Sequence, residues 1–441
     1  MKYFKGGIHP RDKKDCRFDK IQTIPLPKRI FLPLRQHTGS QAVPLVKAGD
    51  LVAVGQMVAS ASGFISANIH SPVSGKVVSI EKILHPCGFG VDTIVIDSDG
   101  KHDTTQFQSV SPEDLSIEQL LDTIKNAGIT GLGGGCFPTH VKLSPPKEKK
   151  VESMILNGCE CEPYLSCDHR VMLEEPKKVL EGLRIMMKVL AVNNAFIAVE
   201  DNKKDAIEVL RKSLGTDKDI IVVKLRTRYP QGAEKQLIKT ISGREVPSGG
   251  LPVDAGFVVH NVQTAVAVGD AVYRGKPLYE RVVTVAGCVR NPGNYRVLIG
   301  TPISDVIAAC GGIFGEVKKI VLGGPMMGVG IHSLDVPVVK GVSGILVLGN
   351  ATAKTYEPSS CIRCGRCVSV CPMGLVPMML SRLAEKGMGG ELKDYSIFDC
   401  IECGCCAYEC PAKINLVQNI KTGKFLAKRH PIKSQVKNKG L

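Results

Sequence analysis

The sequence contains no tryptophan, and aromatic residues make up only 5% of its 441 positions. So few aromatic faces leave little for unpaired bases to stack on, which argues against single-stranded nucleic-acid binding. Long apolar runs are missing too. The longest stretch without an acidic or basic side chain other than histidine, residues 51–75, is broken by Ser, Gly, Asn, Gln and a Pro, so no membrane-spanning helix is expected. The opening MKYFKGGIHPRDKKDCR is charged and has no apolar centre, so no secretory signal is expected and any membrane association is peripheral. Acid is in short supply: 42 Asp and Glu face 57 Lys and Arg, a net charge of +15. That excess suits either solvated lysines or a face that meets acidic protein or lipid headgroups. The length exceeds what one small core organises and points to three or four domains.

Cysteine, by contrast, is plentiful, with 17 in the chain. Without a secretory signal, clustered thiols read as metal ligands rather than disulfides. Nine of them fall in the last fifth of the sequence. CIRCGRCVSVCP supplies Cys361, Cys364, Cys367 and Cys371, and CIECGCCAYECP supplies Cys400, Cys403, Cys406 and Cys410. Each is C-x2-C-x2-C-x3-C-P, and the duplicated spacing is that of two [4Fe–4S] clusters. In this pattern the fourth cysteine of each motif crosses to the other cluster. Cys361, Cys364, Cys367 and Cys410 are therefore expected to hold one, and Cys400, Cys403, Cys406 and Cys371 the other. Zinc knuckles rarely repeat this spacing. Cys405 stands outside both sets.

Upstream, residues 30–81 read as short strands and turns. VKAGDLVAVGQMVA and IHSPVSGKVVSIE resemble the two halves of a biotinyl- or lipoyl-type barrel sandwich. No lysine lies between Lys47 and Lys76, so a swinging cofactor arm is not expected. From about 112 the pattern alternates helix and strand. SIEQLLDTIKNAG opens with a Ser116/Gln119 capping box, sets Ile117, Leu120, Leu121 and Ile124 on one apolar face, and stops at Gly128. Strand-like runs follow at 153–157, 194–200, 219–225 and 256–261, with helices at about 174–190, 202–214 and 232–242. The expected architecture is multidomain α/β: a barrel sandwich over 1–105, a Rossmann-like α/β domain with a largely parallel sheet over 112–275, a β-grasp-like module over 280–350, a helical ferredoxin-like cluster domain over 355–425, and a basic tail over 426–441.

GITGLGGGCFPTHVKL, residues 128–143, carries the candidate nucleotide chemistry. It misses the dinucleotide fingerprint, follows a helix rather than a strand, and meets Pro138 soon after, so a Rossmann phosphate loop is excluded. Its glycines still allow main-chain N–H groups to turn toward an anion and a flat ligand to approach the backbone. GLGGGCFPTHVK resembles the G-x-G-G-x-x-F-P-T-x-x-K loop of the flavin-bearing, NADH-oxidising subunit of respiratory complex I. NGCECEPYLSCDHR, YPQGAEKQLI and HNVQT resemble three further segments of that family in the same order. The barrel-sandwich start, FKGGIHP and two clusters instead of one make the whole chain resemble the C subunits of Rnf complexes, the membrane ferredoxin–NAD+ oxidoreductases. The flavin- and cluster-bearing cobalamin reductases of propanediol-utilising microcompartments are the alternative, and an electron relay with a degenerate flavin site is the rival of another class.

The resemblance implies non-covalent FMN at Gly131, Gly133, Gly134, Lys142, Asn157, Glu160, Tyr229, Gly232, Asn261 and Thr264. It implies NAD(H) contacts at Phe137, Glu162 and Glu234. Glu160 and Glu162, two residues apart, share one face if the chain is extended there. Implied partners are the other Rnf subunits, both those in the membrane and the ferredoxin-like B subunit, with ferredoxin reached indirectly, no nucleic acid, and a peripheral place on the cytoplasmic face of the membrane. Leu132, Cys136, Cys159 and Ala233 depart from the complex I pattern, where Arg, Gly, Asp and Glu stand.

Overall fold

The computed structural model describes residues 3–105 and 110–429. The chain divides into two compact units. The larger comprises Arg11–Thr227 and Pro252–Lys354; the other comprises Met1–Pro10, Arg228–Leu251 and Thr355–Leu441.

Three sheet systems build the larger unit. The first is antiparallel, with Arg29–Pro33, Gly90–Ser98, Gly75–Leu84 and Leu51–Val52 side by side, accompanied by a small sheet of Val43–Pro44, Met57–Ser60 and Ile69–His70. Alternation fixes its register. Ile30 pairs with Ile96 and Leu32 with Ile94, all four fully buried. The second sheet is wholly parallel, in the order Ile220–Leu225, Ala195–Glu200, Ser153–Asn157, Phe257–Asn261. Three of its strands are short apolar runs buried on both faces, whereas the edge strand Ile220–Leu225 alternates and leaves Ile221 exposed. The helices Pro176–Leu190 and Val262–Arg274 pack together, and a side chain at Gly182 would run into the carbonyl of Ala265. The third sheet is mixed: Gln22–Thr23, Gly293–Leu298, Glu280–Gly287, Gly344–Gly349, Val317–Leu322 and Val329–Ile331, with the helix Ile303–Ala309 on Val283, Val285, Val297 and Ile345.

The other unit is helical. Pro377–Glu385, Glu391–Asp394 and Leu416–Arg429 enclose Leu380, Leu392, Ile397 and Ile420, while Arg366–Ser369 and Cys405–Glu409 carry cluster-motif cysteines. Gly423 lets the long helix approach Ile397, Ala384 and Leu392. Residues 228–251, which the helix–strand alternation assigns to the α/β domain, group with this unit. The reason lies in distant pairing: Ile8 bridges Tyr229 as an antiparallel β pair, Gly7 N–H donates to Val370 O at 2.8 Å, and Gln236 donates to Pro372 O at 3.2 Å. The first part of the expected basic tail is the end of the helix Leu416–Arg429; residues 430–441 lie outside the described residues.

Candidate functional site

In an open parallel sheet, ligands bind beyond the carboxyl ends of the strands where the winding direction reverses. Here Ser153–Asn157 is followed by Ala195–Glu200 on one side and flanked by Phe257–Asn261 on the other, so the reversal falls between the first and last of these strands. Asn157 and Asn261 are their terminal residues and are paired in register. Asn157 accepts the N–H of Cys159 at 3.0 Å, which turns the chain after the strand. Asn261 caps the next helix, Val262–Arg274, by accepting from Gln263 N–H at 2.8 Å.

The glycine loop comes to the same place. The helix Ile117–Asn126 forms with its Ser116/Gln119 capping box, and Gly128 leaves it in the left-handed region at φ +65°. The loop closes on itself: Thr130 bridges Pro138, Gly131 N–H donates to Phe137 O at 2.9 Å, and Cys136 N–H donates to Gly131 O at 3.1 Å. Leu132 N–H donates to the buried Thr264 hydroxyl at 3.0 Å, fixing the loop to the helix Asn261 caps. A side chain at Gly133 would press on Asn261, whereas one at Gly134 or Gly135 would meet nothing within 4 Å. Residues 133–135 are exposed, and Gly134 and Gly135 present bare main chain to open space, the form of cradle a flat, anionic ligand fits. Cys136, which stands where complex I has glycine, adopts φ +48°, a region that favours glycine. Its sulfur lies where a side chain at Gly341 would be. Lys142 ends the short helix Thr139–Lys142, and its charge adds to burial in holding His260 neutral.

The acidic segment after Asn157 is pinned by groups that the sequence patterns do not single out. Lys203, buried, donates to Cys159 O at 2.6 Å. Lys14, also buried, donates to the carbonyls of Glu160 at 2.9 Å, Glu162 at 2.8 Å and Leu165. Burial holds the Lys14 ammonium below its ordinary pKa, with the Glu160 charge opposing. Glu160 is left-handed, not extended, so it and Glu162 do not share a strand face. The Glu160 carboxylate accepts from Asp168 N–H at 2.7 Å and His169 N–H at 3.3 Å, at the start of the helix Cys167–Glu174. The Glu162 carboxylate accepts from Met326 N–H and Met327 N–H, each at 2.9 Å.

Asp168 links these parts. It is buried and accepts from the Asn261 amide at 2.6 Å and the Gln263 amide at 2.8 Å. Burial first, and the Glu160 charge second, push its carboxyl up to about 6. Glu160, Cys167 and Asp168 bring ligand atoms within 4.8 Å of one another; among the described residues they form the only such group. Asp168 sits inside the segment NGCECEPYLSCDHR, where its acidity is visible. Lys14 is hidden in the charged opening, which reads as solvated.

In the other unit, Tyr229 is buried and donates its hydroxyl to Cys403 O at 2.7 Å. Gly232 lies in the turn before the helix Glu234–Ser242, and Glu234 opens that helix, where a carboxylate is favoured. The cluster motifs repeat their backbone as well as their spacing. Arg363 and Glu402 are both left-handed, as are Gly365 and Gly404, and Gly374 and Lys413. Arg363 N–H reaches the sulfur of Cys361, and Glu402 N–H that of Cys400, both at 3.4 Å. Cys371, Cys400, Cys403 and Cys406 line one mostly apolar cavity, so the fourth cysteine of the first motif meets three of the second. Cys367 packs with Cys410, the reciprocal crossing. A tetrahedral zinc site needs sulfurs about 3.8 Å apart, given Zn–S near 2.3 Å. None of the eight motif cysteines belongs to a group of three that close among the described residues. The spacing is too open for one tetrahedral zinc ion. Cys361 and Cys364 are exposed, whereas Cys403, Cys406 and Cys410 are buried. Cys405, outside both sets, is buried with its sulfur 4.0 Å from Tyr229 O.

Four family models match along the chain: an RnfC barrel sandwich hybrid domain over 2–101, a Nuo51 FMN-binding domain over 124–270, an SLBB domain over 282–330 and a 4Fe-4S dicluster domain over 360–414. The chain thus carries an FMN-binding domain and a 4Fe–4S dicluster domain. A curated relative from Clostridium ljungdahlii, the C subunit of a proton-translocating ferredoxin:NAD(+) oxidoreductase complex, is 50% identical over 96% of this chain and 93% of its own. The C subunit of the Na(+)-translocating complex of Acetobacterium woodii is 47% identical over 96% of each chain. That of the ion-translocating oxidoreductase complex of Rhodobacter capsulatus is 45% identical over 87% of this chain and 75% of its own. A chain of an NAD+-reducing [NiFe]-hydrogenase, at 17% identity and a TM-score of 0.50, shares the fold over 73% of this chain and 64% of its own, less than two thirds of its length. No helix among the described residues is long and apolar enough to cross a membrane. The chain belongs to the family of C subunits of ion-translocating ferredoxin:NAD(+) oxidoreductase complexes.

Proposed function

We propose that the chain is the nucleotide-facing electron-transfer subunit of its complex, exchanging electrons between NAD(H) and partner subunits that reach ferredoxin. When bound, FMN supplies the conversion between a hydride and single electrons, and two [4Fe–4S] clusters supply one-electron carriers. The residues provide binding and position. Gly131, Gly133 and Gly134 offer main chain to the flavin, and Lys142 offers a cation to its phosphate. Asn157, Glu160, Asn261 and Thr264 hold the surrounding loops; Tyr229 and Gly232 complete the family set. Phe137, Glu162 and Glu234 serve the dinucleotide. Cys361, Cys364, Cys367 and Cys410 hold one cluster, and Cys400, Cys403, Cys406 and Cys371 the other.

The partners are the membrane subunits and the ferredoxin-like B subunit, on the cytoplasmic face of the membrane. The names of the relatives, C subunits of ion-translocating complexes, support the assembly with further subunits. The single observation that carries the flavin reading is the meeting of the glycine loop with Asn261 and Thr264 at the reversal of the parallel sheet.

Gly135→Leu tests it. A β-carbon at this position would meet nothing within 4 Å. The variant is expected to fold, keep its iron and lose FMN affinity by at least tenfold. Unchanged flavin binding would remove the loop from the site. A wild-type protein that takes up iron but no flavin would favour a pure relay.

A further inference from the structure

Glu162 is held by an element from another part of the larger unit. Residues 323–328, GGPMMG, join the strands Val317–Leu322 and Val329–Ile331 of the mixed sheet. The loop is closed by Gly328 N–H to Gly324 O and anchored by Gly323 N–H to Gly344 O, both 2.8 Å. Its two consecutive amides, Met326 and Met327, each donate to a different oxygen of the Glu162 carboxylate at 2.9 Å. The fit depends on Gly324, which is buried: a β-carbon there would fall on the carboxyl group of Glu162. Gly324 is not left-handed, so glycine is required here by Glu162 and not by backbone conformation. From the other side, Lys14 fixes the Glu162 carbonyl at 2.8 Å.

Glu162 is half-buried. The two N–H donors hold the plane of its carboxylate fixed. We infer that the loop of residues 323–328 is a positioning element for nicotinamide dinucleotide binding: Met326 and Met327 amides orient the Glu162 carboxylate to accept hydroxyls of the dinucleotide, and Gly324 is the residue that makes room for it. The inference rests on the reading of Glu162 as a dinucleotide contact. It assigns the β-grasp-like module a part in that site.

The test is a double-mutant cycle on the flavin- and iron-loaded protein, with NADH affinity read by anaerobic titration and flavin content as the control for folding. Gly324→Ala is expected to weaken NADH binding five- to twentyfold with flavin and iron retained. Glu162→Ala should weaken it at least as much, and Gly324→Ala should add nothing in the Glu162→Ala background. Additive effects, or normal NADH affinity in Gly324→Ala while Glu162→Ala binds poorly, would overturn the positioning role and leave Glu162 as a contact. Normal affinity in Glu162→Ala would overturn the reading of Glu162 itself. A second readout needs no variant. Hydrogen exchange at the Met326 and Met327 amides should slow further when NADH is bound, since loop and ligand share one carboxylate. Unchanged or faster exchange would contradict the inference.

Discussion

The Tyr229 hydroxyl donates to the carbonyl oxygen of Cys403 across 174 residues of sequence, at 2.7 Å and out of contact with water. A tyrosine from a flavin-family segment is thereby joined to the backbone that carries a cluster-motif cysteine. Removing the donor leaves that buried carbonyl without this bond, at a cost of about 1–2 kcal/mol. Tyr229→Phe is therefore expected to lower the denaturation midpoint of the loaded protein. It should also alter the electron paramagnetic resonance signal of one reduced cluster and leave the other unchanged. Equal stability and two unaltered signals would mean the bond contributes nothing.

The proposed crossed ligation makes a pairwise prediction about iron. Cys371 lines a cavity with Cys400, Cys403 and Cys406, not with the other cysteines of its own motif. Cys371→Ala with Cys400→Ala should cost about half the iron, because both substitutions strike one cluster. Cys371→Ala with Cys361→Ala should cost nearly all of it. The opposite ranking, measured by iron assay after anaerobic reconstitution, would restore ligation within each motif.

Asp168 holds the side-chain amides of Asn261 and Gln263. Asp168→Asn replaces an acceptor oxygen by a second donor and turns those amides away. Flavin affinity is expected to fall about tenfold, or roughly 1.4 kcal/mol. Fluorescence titration with FMN checks it; unchanged affinity would free Asn261 from any role in orienting the site.

Lys340 is fully buried, donating to Asn68 O at 2.7 Å and Gly128 O at 2.6 Å, and burial pushes its ammonium down to about 7. The unfolded chain, with a pKa of 10.5, then binds more protons than the folded one between about 7 and 10.5. This group's contribution to stability is full above the unfolded value and is lost as pH falls through the folded one. Between pH 9 and pH 7 the wild type should lose roughly 2–3 kcal/mol that Lys340→Met does not. Parallel pH profiles of the two proteins would contradict the assignment.

What was legible in the sequence is what local chemistry decides. The helix Ile117–Asn126 begins at its capping box and stops at Gly128 because the signals lie within one turn of each end. Both cluster motifs were readable because ligand spacing is itself the geometry. The four strands of the parallel sheet stand within a residue of their apolar runs. The grouping of residues 228–251 was not legible, since it depends on Ile8 meeting Tyr229. Nor was the posture of the two glutamates. Glu160 is turned by a left-handed backbone held by Lys14, and Glu162 finds its donors at Met326 and Met327, 164 and 165 residues away. Lys14 itself, in a run of charges, gave no sign that it would be buried under three carbonyls.

The central claim is that this chain takes electrons from, or gives them to, a nicotinamide dinucleotide through its own flavin and cluster sites. An anaerobic titration of the FMN- and iron-reconstituted chain with NADH tests it directly. NADH is expected to bleach the flavin band and reduce at least one cluster, and Gly135→Leu to abolish both responses. Flavin and clusters that stay oxidised under NADH, yet are reduced by dithionite, would contradict it.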